Sequence, residues 1–141
     1  MSTITKNGLG RLLAVRLSPG EDLLEGIFSS CRQHGFRRAA VLSGIGSLKE
    51  VRIYNEGILS TDGENIIYGY GDQPRFWGGP QGVMELCSVK GSICTEEDGQ
   101  PASGSGLHIT FSNAGGAVLG GCLAKGTIVN LTAEIVIGEL L

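Results

Sequence analysis

Glycine cuts this chain into short pieces. Of its 24 glycines, nine gather in SGIGS at 43–47, FWGGPQG at 76–82, SGSG at 103–106 and NAGG at 113–116, where a backbone takes positive φ or approaches a neighbour too closely for a side chain. The stretches between them are β-like: 38–42, 48–54, 66–68, 83–93, 107–112, 117–123 and 127–137. They are short, mostly rich in branched or aromatic residues, and bounded by turn formers. They show no tandem repeat and no low-complexity linker. The stretch from Asn55 to Gly82 is the least regular, and it carries the only tryptophan, Trp77, beside Phe76 and Pro80. It reads as an excursion over the surface or a lip around a site.

One helix interrupts this pattern. In Ser18-Pro19-Gly20-Glu21 the serine suits an N-cap, the proline suits the first helical position, and the glutamate completes a capping box. Leu23, Leu24, Ile27, Phe28 and Cys31 then recur at helical spacing, and Gly35 suits a left-handed stop. The spacing predicts a helix over about 19–34, with His34 in its last turn as a C-terminal cap favoured by the helix dipole. The resulting expectation is an α+β fold, a mainly antiparallel sheet packed with this one principal helix.

At 141 residues the chain suits a single domain, 1–141, long enough to bury a core without disulfides or structural metal. Only 18% of residues are charged against 41% hydrophobic, too few to solvate a whole surface, so part of the apolar surface is expected to face another subunit. The net charge of -3 supplies no field for phosphate backbones, and nucleic-acid binding would need a local patch. Arg32, Arg37, Arg38, Arg52 and Arg75 are the candidates, but no aromatic stacking pattern accompanies them. The first residues build no signal-peptide core and no stretch is apolar for about 18 residues, so a cytoplasmic protein without a membrane partner is expected. Cys31, Cys87, Cys94 and Cys122 form no CxxC pair and are expected as reduced, mostly buried thiols.

Several catalytic patterns fail. Ser43-Gly44-Ile45-Gly46 follows a strand but lacks the third glycine of a dinucleotide loop, and a strand pattern, not a helix, comes after it. Ser103-Gly104-Ser105-Gly106 has serine where a nucleophile elbow needs glycine. Glu85 and Glu134 are carboxylates within strands, and each reads equally well as solvent-facing or salt-bridged.

The hairpin GLHITFSNAGGAVLGGC at 106–122 leaves a choice. Leu107, Ile109 and Phe111 alternate with His108, Thr110 and Ser112, so the histidine lies on the polar face. An even loop, Asn113 to Gly116, would set Leu107 opposite Cys122 and His108 on the other surface. An odd loop, Ala114-Gly115-Gly116 with Gly116 left-handed, would set His108 opposite Cys122 with Cβ atoms about 4.5–5.5 Å apart. Even then two ligands are one short of the three that catalytic zinc uses. No catalytic residue and no cofactor are expected, and zinc on His108 and Cys122 is the one metal these residues would admit.

Taken together, RLSPGEDLLEGI at 16–27, HGFRRAAVLSGIGSLKEVRIY at 34–54, GVMELCSVKGSI at 82–93, LHITFSNAGGAVLGGCLAKG at 107–126 and TAEIVIGEL at 132–140 resemble, in order, the plants-and-prokaryotes-conserved (PPC) domain family. The resemblance implies a homotrimer in which strands and loops meet across subunits. In plants the domain follows AT-hook peptides that bind the minor groove and mediates assembly with partner proteins; no AT-hook occurs in this chain. Stand-alone prokaryotic members are labelled as candidate DNA-binding proteins by that association, a weak warrant for function. Many of them resemble PHxHxS followed by GGH, three histidines that can hold a metal. Here Gly106 stands at the first, His108 matches the second and Cys122 replaces the third. The plant-type GRFEIL partner segment corresponds to Gly82, Val83, Met84, Glu85, Leu86 and Cys87, without its arginine and phenylalanine. Acetolactate decarboxylase is similar at fold level only, and its zinc ligands are missing.

These readings imply a regulatory or assembly module without evident catalysis, partnered by itself and by other proteins, with any DNA contact weak or partner-mediated. The alternative is a small-molecule, metal-binding or enzymatic site at a subunit cleft, using His108, Thr110, Cys122, Glu85 and Ser43.

Overall fold

The structure, a computed structural model, describes residues 2–78, 82–102 and 105–141. Pro80, the glycine at 79 and the Ser103-Gly104 pair lie outside the described residues. In chain order the elements are β1 (Leu9–Leu17), α1 (Leu23–Gln33), β2 (Arg38–Tyr54), β3 (Glu56–Asp62), β4 (Asn65–Tyr70), β5 (Arg75–Gly78), β6 (Met84–Cys94), β7 (Gly106–Ser112), β8 (Val118–Leu123) and β9 (Ile128–Leu140). A 7-stranded antiparallel sheet runs β1-β9-β2-β6-β7-β8, with β5 added beside β2. β8 then returns to the end of β2 through Ile53↔Leu123 and Tyr54↔Cys122, closing β2, β6, β7 and β8 into a ring. β3 and β4 form a separate two-stranded sheet. The α+β class, the antiparallel sheet and the single helix among the described residues agree with the expectation.

The helix begins at Leu23, four residues later than the capping-box pattern predicts. Gly20 takes φ +88°, which no helix accepts, and its N–H donates to Val129 O at 2.9 Å. Glu21 still reaches back to the Ser18 N–H (3.0 Å), but the two close a turn instead of opening a helix. Asp22 is the true cap, its Oδ1 accepting from the Glu25 N–H at 3.0 Å. Leu23, Ile27, Phe28 and Cys31 face the core as their spacing predicts. At the other end His34 is the C-cap, its Nδ1 2.9 Å from Ser30 O, and Gly35 is left-handed at φ +71°.

The largest correction concerns SGIGS, which does not turn: 38–42 and 48–54 belong to one strand, β2, of 17 residues. Its glycines serve close approach. A Cβ on Gly46 would sit 2.3 Å from Thr132 O and 2.7 Å from Ala133 Cα, and one on Gly44 would sit 2.8 Å from Val89 Cγ2. β2 can therefore lie tight against β9 while staying paired with β6. The irregular stretch 55–82 holds three paired strands, β3, β4 and β5. β1, which the sequence pattern did not single out, forms the sheet edge along β9. There the Arg11 guanidinium grips the Glu139 carboxylate at 3.0 and 2.9 Å and lies 4.7 Å from the centre of the Phe36 ring. That bidentate bond, with the Arg11 N–H, holds Glu139 down to about 2.

One hydrogen-bonded corner joins helix to sheet. Asp22 Oδ2 accepts from the Gly126 N–H at 2.7 Å, and the Leu23 N–H donates to Thr127 O at 2.8 Å. The fully buried Thr127 hydroxyl accepts from the Arg52 N–H at 2.9 Å and directs its proton to Arg52 O (3.0 Å) or Ala124 O (3.1 Å). Arg52 Nη1 completes the corner on Gly126 O at 2.7 Å.

Asp22→Ala removes the cap and strands the Gly126 N–H, so its urea midpoint should fall by the equivalent of about 2 kcal/mol with an unchanged m-value, whereas Asp22→Asn should keep part of the loss. Gly46→Ala has no escape from backbone atoms on β9 and should cost about 1–3 kcal/mol in the same measurement; an unaltered midpoint would contradict the close approach.

Candidate functional site

The NAGG turn takes the odd alternative. The Asn113 N–H donates to Ala117 O (3.1 Å), the Gly116 N–H donates to Asn113 O (3.0 Å), and Gly116 is left-handed at φ +84°. Asn113 Oδ1 also accepts from the Ala117 N–H at 3.0 Å, which makes asparagine a local requirement of the turn. The register that follows places His108 directly opposite Cys122 on β8. On its other side His108 faces Lys90 of β6, and Cys122 in turn faces Tyr54 of β2. A row Lys90, His108, Cys122, Tyr54 thus crosses four strands of the ring. Apolar Leu107, Ile109 and Phe111 fill the opposite face.

β8 fits between β7 and the end of β2 because two glycines make room. A Cβ on Gly120 would lie 2.7 Å from Ile109 O, and one on Gly121 would lie 2.7 Å from Tyr54 O. Asn55 Nδ2 adds a bond to Gly120 O at 2.8 Å.

The other expected site residues do not all gather at this row. Thr110 is one pair further along β7, its hydroxyl 2.7 Å from Ser88 Oγ and so already satisfied. Glu85 is exposed opposite Ser112. That is four residues along β7 from His108, or about 13 Å at strand rise. Ser43 is exposed on β2, with β6 between it and β7. Glu134 pairs with Arg16 at 2.6 Å on the sheet surface. In the segment expected to meet a partner, Gly82 takes φ +86°, Met84 and Leu86 point into the core, and Val83 and Glu85 are exposed.

Of the basic candidates, Arg32 pairs with Glu25, Arg37 Nε donates to Thr95 O (3.3 Å), and Arg52 stacks 4.6 Å over Phe76 while serving the Thr127 corner. Trp77 lies on β5, edge-on to Phe111 at 5.5 Å, and lines a hollow of about 230 Å³ with Met84, Phe111, Asn113 and Leu119. Sequence reasoning missed Lys90 and Tyr54, since pairing across β6 and β2 is not visible locally. It also missed an apolar outer face formed by Leu12, Leu42 and Ile45, although the AVLSGI run, apolar at odd and even positions alike, was the available signal.

For a metal, the donor set is short. Among the described residues no three of His, Cys, Asp and Glu come together. Burial pushes the Cys122 thiol up from its ordinary value. The family's three-histidine metal therefore does not fit the residues present.

The thiols themselves differ more than expected: Cys31 is buried, Cys94 and Cys122 are half-buried, and Cys87 is exposed. Burial raises Cys31 to about 11. Iodoacetamide near pH 8 should therefore label Cys87 first, Cys122 more slowly and Cys31 only after unfolding; peptide mapping showing early label on Cys31 would contradict the packing of α1.

The model of the Plants and Prokaryotes Conserved (PCC) domain matches residues 4–141. The chain is 26% identical over 129 residues to the bifunctional protein GlmU of Synechococcus sp. strain JA-2-3B'a(2-13), covering 92% of this chain and 17% of that protein. It is 29% identical over 123 residues to the AT-hook motif nuclear-localized protein 10 of Arabidopsis thaliana, covering 86% and 30%. The chain thus spans less than a third of the length of either curated relative. Among solved structures, a plant- and prokaryote-conserved protein of Pyrococcus horikoshii superposes with TM-score 0.70 at 26% identity, covering 99% of this chain and 85% of that one. A metal-containing protein of Archaeoglobus fulgidus shares the fold with TM-score 0.66 at 20% identity, covering 99% and 86%.

Proposed function

This chain belongs to the Plants and Prokaryotes Conserved (PCC) domain family, and on that premise we propose that it is a self-associating regulatory or assembly module, a homotrimer, without catalysis of its own. Its contact with DNA, in this reading, is weak or made through partner proteins.

The observation that carries the proposal is the outer face of β1, β9 and β2. Leu12 is 57% exposed, Leu42 52% and Ile45 56%, on strands that β9 joins side by side. Leu12 and Leu42 both reach over Gly138 of β9, and Ile45 follows further along β2. Large aliphatic side chains grouped on a sheet face favour burial against another protein surface. The low share of charged residues points the same way. Matching stretches within two otherwise unlike proteins, covering 17% of one and 30% of the other, support a module that works beside varied neighbours.

A direct DNA reader has less support. The net charge is -3, and Arg32 and Arg52 are engaged in structural bonds. Any duplex binding should be of the phosphate-contacting kind that weakens steeply with salt.

Size-exclusion chromatography with light scattering should give about three times the 14.7 kDa chain mass at micromolar concentration. Leu42→Glu with Ile45→Glu should shift that species to the monomer while leaving the far-ultraviolet circular dichroism unchanged. A wild-type monomer under these conditions would remove the trimer. In fluorescence anisotropy, a failure to bind duplex DNA even at low ionic strength would leave protein partners alone.

A further inference from the structure

We infer that this chain keeps the strand frame on which a metal ion could be held but lacks a third ligand, at Gly106, so that the wild-type protein holds no metal at this face. The frame is visible in the register. His108 and Cys122 stand directly opposite each other on β7 and β8. Residue 106 precedes His108 by two on the same strand and therefore on the same face, about 6–7 Å away along it. Two imidazoles at that spacing, with a third donor across from one of them, can converge on a single tetrahedral ion and leave its fourth position open.

Two features keep the ion out of the present chain. Gly106 contributes no side chain. Lys90, directly across from His108, brings a fixed positive charge to the edge where a divalent cation would sit.

What makes the loss confined to one position is the space at Gly106. Among the described residues a Cβ there meets nothing within 4 Å, and Gly106 is not among the glycines at positive φ. A side chain at 106 is thus tolerated by the backbone, unlike one at 120 or 121, where Cβ would strike backbone atoms. The missing ligand can be supplied without moving β7.

The test is metal content by plasma mass spectrometry after zinc loading and exhaustive dialysis, with circular dichroism to show that each protein is folded. Wild-type protein should retain well under a tenth of an equivalent of zinc. Gly106→His should retain about one per chain, and its cobalt form should show tetrahedral absorption with a sulfur charge-transfer band that Cys122→Ala abolishes. Adding Lys90→Ala to Gly106→His should tighten zinc further. Gly106→Cys serves as a second variant should histidine disturb the strand. Stoichiometric zinc in the wild type would overturn the inference, and so would folded Gly106→His and Gly106→Cys variants that retain none.

Discussion

Asp22 serves two elements with one carboxylate. Oδ1 caps the helix and Oδ2 holds the Gly126 N–H, so the start of α1 is tied to the turn between β8 and β9. Through Gly126 and Thr127 the same corner reaches Arg52, just before the point where β2 meets β8. A helix of 11 residues would be marginal alone. Here its first turn is fixed by the strand connection it packs beside, and the connection is fixed by the helix.

From that corner the closure of the ring follows. β9 departs from the turn to cover one edge of β2, while β8 arrives at the same edge over the last two residues of β2. Both approaches are closer than side chains allow, and glycine stands at each: Gly46 against β9, Gly121 against Tyr54 O, Gly120 against β7. The row that includes His108 and Cys122 therefore depends on one local turn and on close backbone packing along β8. An odd turn sets the pair, and the glycine pair lets β8 carry Cys122 up to Tyr54.

Local chemistry was legible where one short segment decides the outcome. The apolar stripe of α1, the left-handed stop at Gly35 and the alternation of β7 all depend on neighbours within a turn or a strand. The capping box misled because Gly20 needs positive φ to hand its N–H to Val129, a tertiary demand that outweighs the local pattern. SGIGS misled because a glycine needed for close approach looks the same in sequence as one needed for a turn. The hairpin of β3 and β4 carried its own signal in Asp62-Gly63, with Gly63 at φ +59° between two strand-like runs. Lys90 and Tyr54 had none, because each meets the His108 row only through strand order.

The two outer faces of the sheet now have different characters, and strand order explains why. Around β1, β9 and β2 the outward positions are aliphatic, relieved by the Arg16–Glu134 pair. Around β6, β7 and β8 they include Glu85, Ser88, Lys90, His108, Thr110 and Cys122, small or polar groups that water or a ligand can meet, with exposed Val118 opposite Ser112. β2 belongs to both, since its first part pairs with β9 and β6 and its last residues pair with β8. Any assembly that covers Leu42 and Ile45 must therefore press on the same strand that ends at Tyr54 beside Cys122. β2 thus carries Leu42 and Ile45 on its first part and brings Tyr54 to the polar row at its end.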